Sequence, residues 1–253
     1  MAKVKEAAKK ALELDESLSE AHFAMAWINF GYSYDWDGAE AEFRRAIELT
    51  PRDGKAHVYY GWLLISTGQS DRGIEESRLG LQFDPLSVEV NTLVGMNLYL
   101  ARRYDQAIEQ LRTTVDMESN YWFARLFLGL AYEQKGDLSR SMEELQKATE
   151  LAREMPVPHA ELGHLYARLG RKSEAEQVLQ ELTRWSERTY VPAYNLATVQ
   201  VGLNRKEQAL NLLDKAYADH SMLLTFVKVD PELDPLRSEA RFTNLLRRMG
   251  LPQ

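Results

Sequence analysis

The sequence predicts an all-α solenoid of stacked helix–turn–helix repeats, and three observations carry that expectation. Gly61, Gly95, Gly129 and Gly163 follow one another at steps of 34 residues, and Ala197 extends the series. A second ladder of small residues, Ala39, Gly73, Ala107, Ser141, Ala175 and Ala209, runs in phase with it at the same 34-residue step. Gly68, Gly136 and Gly170, with Pro51 and Pro85, punctuate the same frame where helices must end. Small side chains recurring at two fixed places let paired helices approach closely, while large side chains between them fill the rest at helical spacing.

Taken in order, residues 1–18 match helix B of a repeat: Ala11-Leu12-Glu13-Leu14-Asp15 parallels Ala46-Ile47-Glu48-Leu49-Thr50. Their helix A is absent, so the sequence reads as part of a longer protein. Repeat one carries Met25-Ala26, one extra residue, then Ala39, Phe43, Ala46 and Pro51. Repeat two has Tyr60-Gly61, Leu64, Gly68, Gly73 and Pro85. Repeat three has Val94-Gly95, Leu98, Ala107 and Leu111, with Arg102-Arg103 in place of the turn glycine. Repeat four, the clearest, has Leu128-Gly129, Tyr132, Gly136-Asp137, Ser141, Leu145 and Ala148. Repeat five shows Leu162-Gly163, Tyr166, Gly170, Ala175 and Leu179, and repeat six Leu196-Ala197, Asn204, Ala209 and Leu213. Beyond them, Asp234 as N-cap and Pro235 at the first helical position predict a capping helix that Gly250 ends.

These positions match the pattern W-x2-L-G-x2-Y, A-x3-F, P, so the chain resembles the tetratricopeptide repeat family. The resemblance covers about 19–223 as six repeats, with helix B of a truncated repeat before it (1–18) and a capping segment and helix after it (224–253). It implies a right-handed α-solenoid with a C-terminal capping helix. The run from Asp234 to Leu251 and the Tyr34-Asp35-Trp36 insertion are also similar to the C-terminal tetratricopeptide regions of bacterial multidomain signalling proteins. In those, the array follows a kinase, a nucleotide cyclase or a winged-helix domain.

The family lines its concave groove with A helices, which places Trp27 and Phe30, then Val58, Trp62 and Ile65, then Met96 and Tyr99, then Leu126 and Leu130 on that face. Phe23, Thr92, Phe123 and Glu133 share it, and repeats five and six add His164, Arg168, Tyr194 and Thr198. The Lys, Asn and Arg clamp by which family members grip a chaperone's C-terminal carboxylate is missing. The resemblance therefore implies a protein or peptide partner presenting an apolar peptide or helix. The same side chains also serve as packing between neighbouring A helices, and Phe23 and Trp27 are equally suited to a preceding helix A.

Composition and motifs bound the chemistry. A net charge of −7 argues against sequence-independent binding to nucleic-acid phosphates. No 18-residue apolar run marks a membrane span. Zero cysteines exclude thiol chemistry and fit both cytoplasm and periplasm, with the cytoplasm the expectation. Among five histidines, His159 and His164 flank Glu161, but five positions put them about 140° apart on a helix, whereas metalloproteases use i, i+4. His22 and His57 both occupy the first position of helix A and read as satisfied packing histidines. Gly170-Arg171-Lys172-Ser173 lacks the first glycine of a phosphate loop, Leu165 standing there. No nucleophile–base pair is identifiable, and no cofactor or metal is expected.

The sequence thus points to a non-catalytic interaction scaffold. Two alternatives are a regulatory array acting in cis on an attached kinase, cyclase or DNA-binding domain, and a self-assembling array. Apolar side chains at Leu12, Phe23, Trp27 and Phe30, lacking a preceding helix A, predict a homodimer through the N-terminal end.

Overall fold

A computed structural model describes residues 2–251. Helix α1 (Ala2–Leu14) precedes six antiparallel pairs. Repeat one is α2 (Ser19–Ile28), continued by a π turn over Asn29–Ser33, and α3 (Trp36–Leu49). Next come α4 (Gly54–Thr67) with α5 (Ser70–Phe83), and α6 (Val88–Leu100) with α7 (Tyr104–Met117). Then follow α8 (Trp122–Gln134) with α9 (Leu138–Leu151), α10 (Pro156–Arg168) with α11 (Lys172–Ser186), and α12 (Ala193–Gly202) with α13 (Lys206–Ala218). Two 3₁₀ segments, Met222–Phe226 and Pro231–Leu236, lead to α14 (Ala240–Arg248). There is no strand among the described residues.

The glycine ladder is a set of close approaches. A Cβ on Gly95 would lie 2.4 Å from Leu111 Cγ, one on Gly129 2.7 Å from Leu145 Cγ, and one on Gly163 2.8 Å from Val178 Cγ1. Gly61 and Gly73 face each other, each Cβ position being 2.6 Å from the other's carbonyl oxygen. All five are buried. Helix A thus rests on helix B of its own repeat at glycine, with leucine or valine filling the facing position in repeats three to five and Gly73 in repeat two.

Each A–B turn contains one left-handed residue, again 34 apart: Tyr34, Gly68, Arg102, Gly136, Gly170 and Asn204, with φ between 51° and 99°. The turn geometry is set by the repeat, and repeats one, three and six adopt it without glycine. A polar clip recurs as well. His22, His57, Asn91 and Arg125 each donate to or accept from a helix B side chain and reach a carbonyl six residues upstream. The pairs are His22–Glu42 at 2.6 Å, His57–Glu76 at 2.7 Å, Asn91–Gln110 at 2.7 Å and Arg125–Glu144 at 2.5 Å. The two histidines are satisfied as expected, and His57 packs beside Phe83.

The insertion in repeat one closes the superhelix. Its extra residue is absorbed by the π turn, and Tyr34 and Trp36 then face the far end of the chain. Tyr34 stacks on Tyr217 and His220, and its hydroxyl donates to Ser221 O at 2.8 Å. Trp36 Nε1 donates to Met249 O at 2.6 Å, and His220 Nδ1 lies 2.9 Å from Tyr32 O.

The C-terminal cap differs from expectation in one respect. Asp234 does not cap a helix. Asp230 caps the preceding 3₁₀ turn at Pro231, Asp234 accepts from Arg102 and Arg237 instead, and α14 begins only at Ala240. Gly250, with φ 69°, ends α14 as predicted.

Candidate site in the concave groove

The A helices line the concave face, and the C-terminal segment lies in it. Its side chains pack where a ligand was expected. Trp62 stacks on Phe226, with ring centroids 5.0 Å apart and planes at 18°. Val58, Ile65, Met96, Tyr99, Leu126 and Leu130 are all buried, as is Phe30, while Trp27 is half-buried between Phe30, Tyr59 and Trp62. At one edge the segment is held by polar bonds to successive A–B turns. Lys228 Nζ donates to Thr67 O at 3.1 Å, and Arg102 grips Asp234 through two bonds of 2.6 and 2.8 Å.

The aromatic cluster of repeat one is likewise closed within the chain. Phe23 packs edge-on against Phe43 and Tyr59, and Phe30 against Trp62 and Trp36, so the apolar surface expected to stand open at Phe30 is fully covered. Leu12 and Phe23 are half-buried. The premise of an N-terminal homodimer contact is correspondingly reduced to partial exposure at Leu12, Phe23 and Trp27.

What remains of the groove is a chamber of about 150 Å³. Trp122, Phe123, Phe127 and Leu130 of α8 form one wall and Leu223 and Phe226 the other, with Tyr99 and Tyr194 between them. Its floor is acidic: Glu161, Asp230 and Glu232, all buried. Beside them lie Glu133, His164 and Arg168, and the carboxylates of Glu133 from α8 and Glu232 from the C-terminal segment flank the buried His164 imidazole.

Burying charge is costly unless it is paired, and the groups divide the charge accordingly. His164 Nδ1 lies 3.0 Å from Glu232 Oε1 and 3.2 Å from Glu133 Oε1. Burial alone would lower the imidazole, but the two carboxylates outweigh it and hold it well above its ordinary value. Burial would raise Glu232, and the His164 charge reverses that, leaving it lowered. Glu161, desolvated and facing Glu232, is pushed well up. Asp230 is raised to about 7 by burial and by Glu232, against the 2.5 Å bond it accepts from the Tyr194 hydroxyl. Arg168 donates to Glu133 Oε1 at 2.9 Å from the solvent side. Glu133 Oε2 and Glu161 Oε2 are buried without a hydrogen-bond partner, and His164 Nδ1 and Glu232 Oε1 face each other at ion-pair distance without a directed hydrogen bond.

Family models described as tetratricopeptide repeat match residues 28–85, 95–156 and 159–189. The chain belongs to the tetratricopeptide repeat family. Its repeats form the right-handed α-solenoid of that family, a fold that implies a protein–protein interaction scaffold. Solved structures similar in fold include the APC/C hetero-tetramer Cut9–Hcn1, at 16% identity and a TM-score of 0.66 over 98% of this chain. This chain spans 46% of the length of that one. PilW, a type IV pilus biogenesis factor, aligns at 19% identity and a TM-score of 0.59 over 76% of this chain and 87% of its own. The pilF protein of Pseudomonas aeruginosa aligns at 18% identity and a TM-score of 0.57 over 92% of this chain and 98% of its own. No curated protein matches the sequence. No helix among the described residues is long and apolar enough to cross a membrane.

Of the residues around the acidic floor, the family pattern places Glu133, His164, Arg168 and Tyr194 on the groove. It does not place Glu161, Asp230 or Glu232 there. Asp230 and Glu232 reach the site only because the C-terminal segment folds back, a contact no local pattern encodes.

Proposed function

We propose that the protein is a non-catalytic scaffold that takes an apolar peptide or helix of a partner protein against its concave face, at the chamber beside α8. The observation that supports this reading is the Trp62–Phe226 stack: a short, apolar helical segment already sits in the groove, and it is the chain's own. A partner segment of the same chemistry, with an aromatic or branched aliphatic anchor, fits the wall formed by Trp122, Phe123 and Leu223.

The test is selection of peptides from a random display library, followed by affinity measurement on wild-type protein and on Phe123→Ser and Leu223→Ser variants. Enrichment of apolar peptides whose affinity falls in both variants supports the reading. Peptides indifferent to both substitutions, or no enrichment, overturn it.

Regulation in cis is the second reading, and one observation favours it. Residues 222–236 cover most of the groove and are tied at one edge through Arg102 and Lys228. Access for a partner then depends on how firmly that segment is held, and an attached domain that pulls on it controls binding.

A further inference from the structure

We infer that Glu133, His164 and Glu232 form a binding site for a first-row divalent cation, with zinc the best fit among common ions. The three ligand atoms lie within 4.8 Å of one another and all three residues are buried. Bonds of ~2.0–2.2 Å meeting at octahedral to tetrahedral angles put ligand atoms roughly 3.0–3.4 Å apart. The separations of 3.0 and 3.2 Å from His164 Nδ1 to Glu232 Oε1 and Glu133 Oε1 have that value.

Two further features distinguish this from an ordinary buried ion pair. His164 Nδ1 and Glu232 Oε1 lie at ion-pair distance, yet both lack a directed protein hydrogen bond, as do Glu133 Oε2 and Glu161 Oε2. A cation bound between His164 Nδ1 and Glu232 Oε1 satisfies both. The set also has a supporting shell, because Arg168 fixes Glu133 through a 2.9 Å bond. Glu161 lines the same buried floor one turn before His164 on α10. An imidazole with two carboxylates favours zinc, iron or manganese over magnesium and calcium, which prefer all-oxygen shells.

The ligands come from three parts of the chain: Glu133 from α8, His164 from α10 and Glu232 from the C-terminal segment. A cation bound there ties that segment into the groove, so metal binding and closure of the concave face are linked. The metal site itself stands independently of which partner the groove takes.

The experiment is calorimetry and metal analysis on chelator-stripped full chain, using zinc chloride, with manganese, magnesium and calcium chlorides for comparison. One zinc ion per chain is expected. His164→Gln and Glu232→Gln should each weaken it by at least about tenfold, while His159→Gln should leave it unchanged. Hydrogen exchange over residues 222–236 should slow when zinc is added to the wild type. Circular dichroism establishes that each variant folds. If one does not, ring-nitrogen resonances of the wild-type histidines decide: zinc should shift His164. Absence of zinc uptake, uptake insensitive to both substitutions, or shifts confined to His22, His57, His159 or His220 would overturn the proposal.

Discussion

Trp62 of α4 and Phe226 of the C-terminal segment, 164 positions apart, lie face to face with ring centroids 5.0 Å apart. One residue belongs to the groove that family members use for ligands and the other to the chain's own tail. The pair therefore measures how firmly the array covers its own concave face. Phe226→Ala removes a half-buried ring, so it should cost less than the ~3–5 kcal/mol of a fully buried phenylalanine, roughly 2 kcal/mol. Hydrogen exchange should show faster opening of 222–236 with α8 and α10 unaffected.

Closure of the ring is tested at Trp36. Its indole donates to Met249 O, and Trp36→Phe keeps most of the apolar contact while leaving that carbonyl without its donor. The expected loss is ~1–3 kcal/mol, read as a fall in the denaturant midpoint. Tyr34→Phe, which strips the bond to Ser221 O, should act in the same direction. A double variant should lose less than the sum if the two bonds close one interface.

The small-residue ladder makes a sharper demand. A side chain on Gly129 must displace Leu145, whose Cγ lies 2.7 Å from the Cβ position. Gly129→Leu should cost ~1–3 kcal/mol or more through overpacking. Gly136→Ala meets nothing within 4 Å but keeps a φ of +80°, so its cost is the conformational ~1–2 kcal/mol alone. Thermal unfolding of the two variants separates contact strain from backbone strain. Unchanged stability in Gly129→Leu would show that the ladder is not an interface.

The ladders and turn positions were legible because they are local requirements repeated in every copy. Even so, Arg102 and Asn204 adopt left-handed turns that a search for glycine passes over; the repeat's geometry overrides residue preference there. Groove residues such as Trp62 and Tyr99 were identifiable by position, but their covering was not. It depends on the curvature that brings repeat six back to repeat one. The tail departs from its local signal at Asp234-Pro235 for a related reason. The local cap signal is sound, but Arg102, more than a hundred residues upstream, takes the carboxylate. The same foldback placed Asp230 and Glu232 beside His164.

His57 supplies a pH dependence. Burial lowers its pKa, but the hydrogen bond to Glu76, the Pro51 carbonyl and the charges of Glu76 and Asp53 outweigh it, so the folded value lies above the ordinary 6.5. A histidine raised on folding binds its proton more tightly in the native state. Its contribution to stability is full below pH 6.5 and is lost as pH rises through the folded value. Glu76→Gln should flatten that part of the stability profile and return the His57 resonance toward its ordinary titration midpoint. An unchanged midpoint would show that Glu76 is not the cause.

The concave face is closed by the chain's own C-terminal segment. Hydrogen exchange at the amides of Leu224, Val227, Asp230 and Leu233 tests it most directly, since each donates within the segment and each side chain is buried. Protection at these four amides should approach that of α6 and α8, and should be lost at all four together in Phe226→Ala. Exchange at the rate of an unstructured chain in the wild type would contradict it and return the groove, open, to its partner.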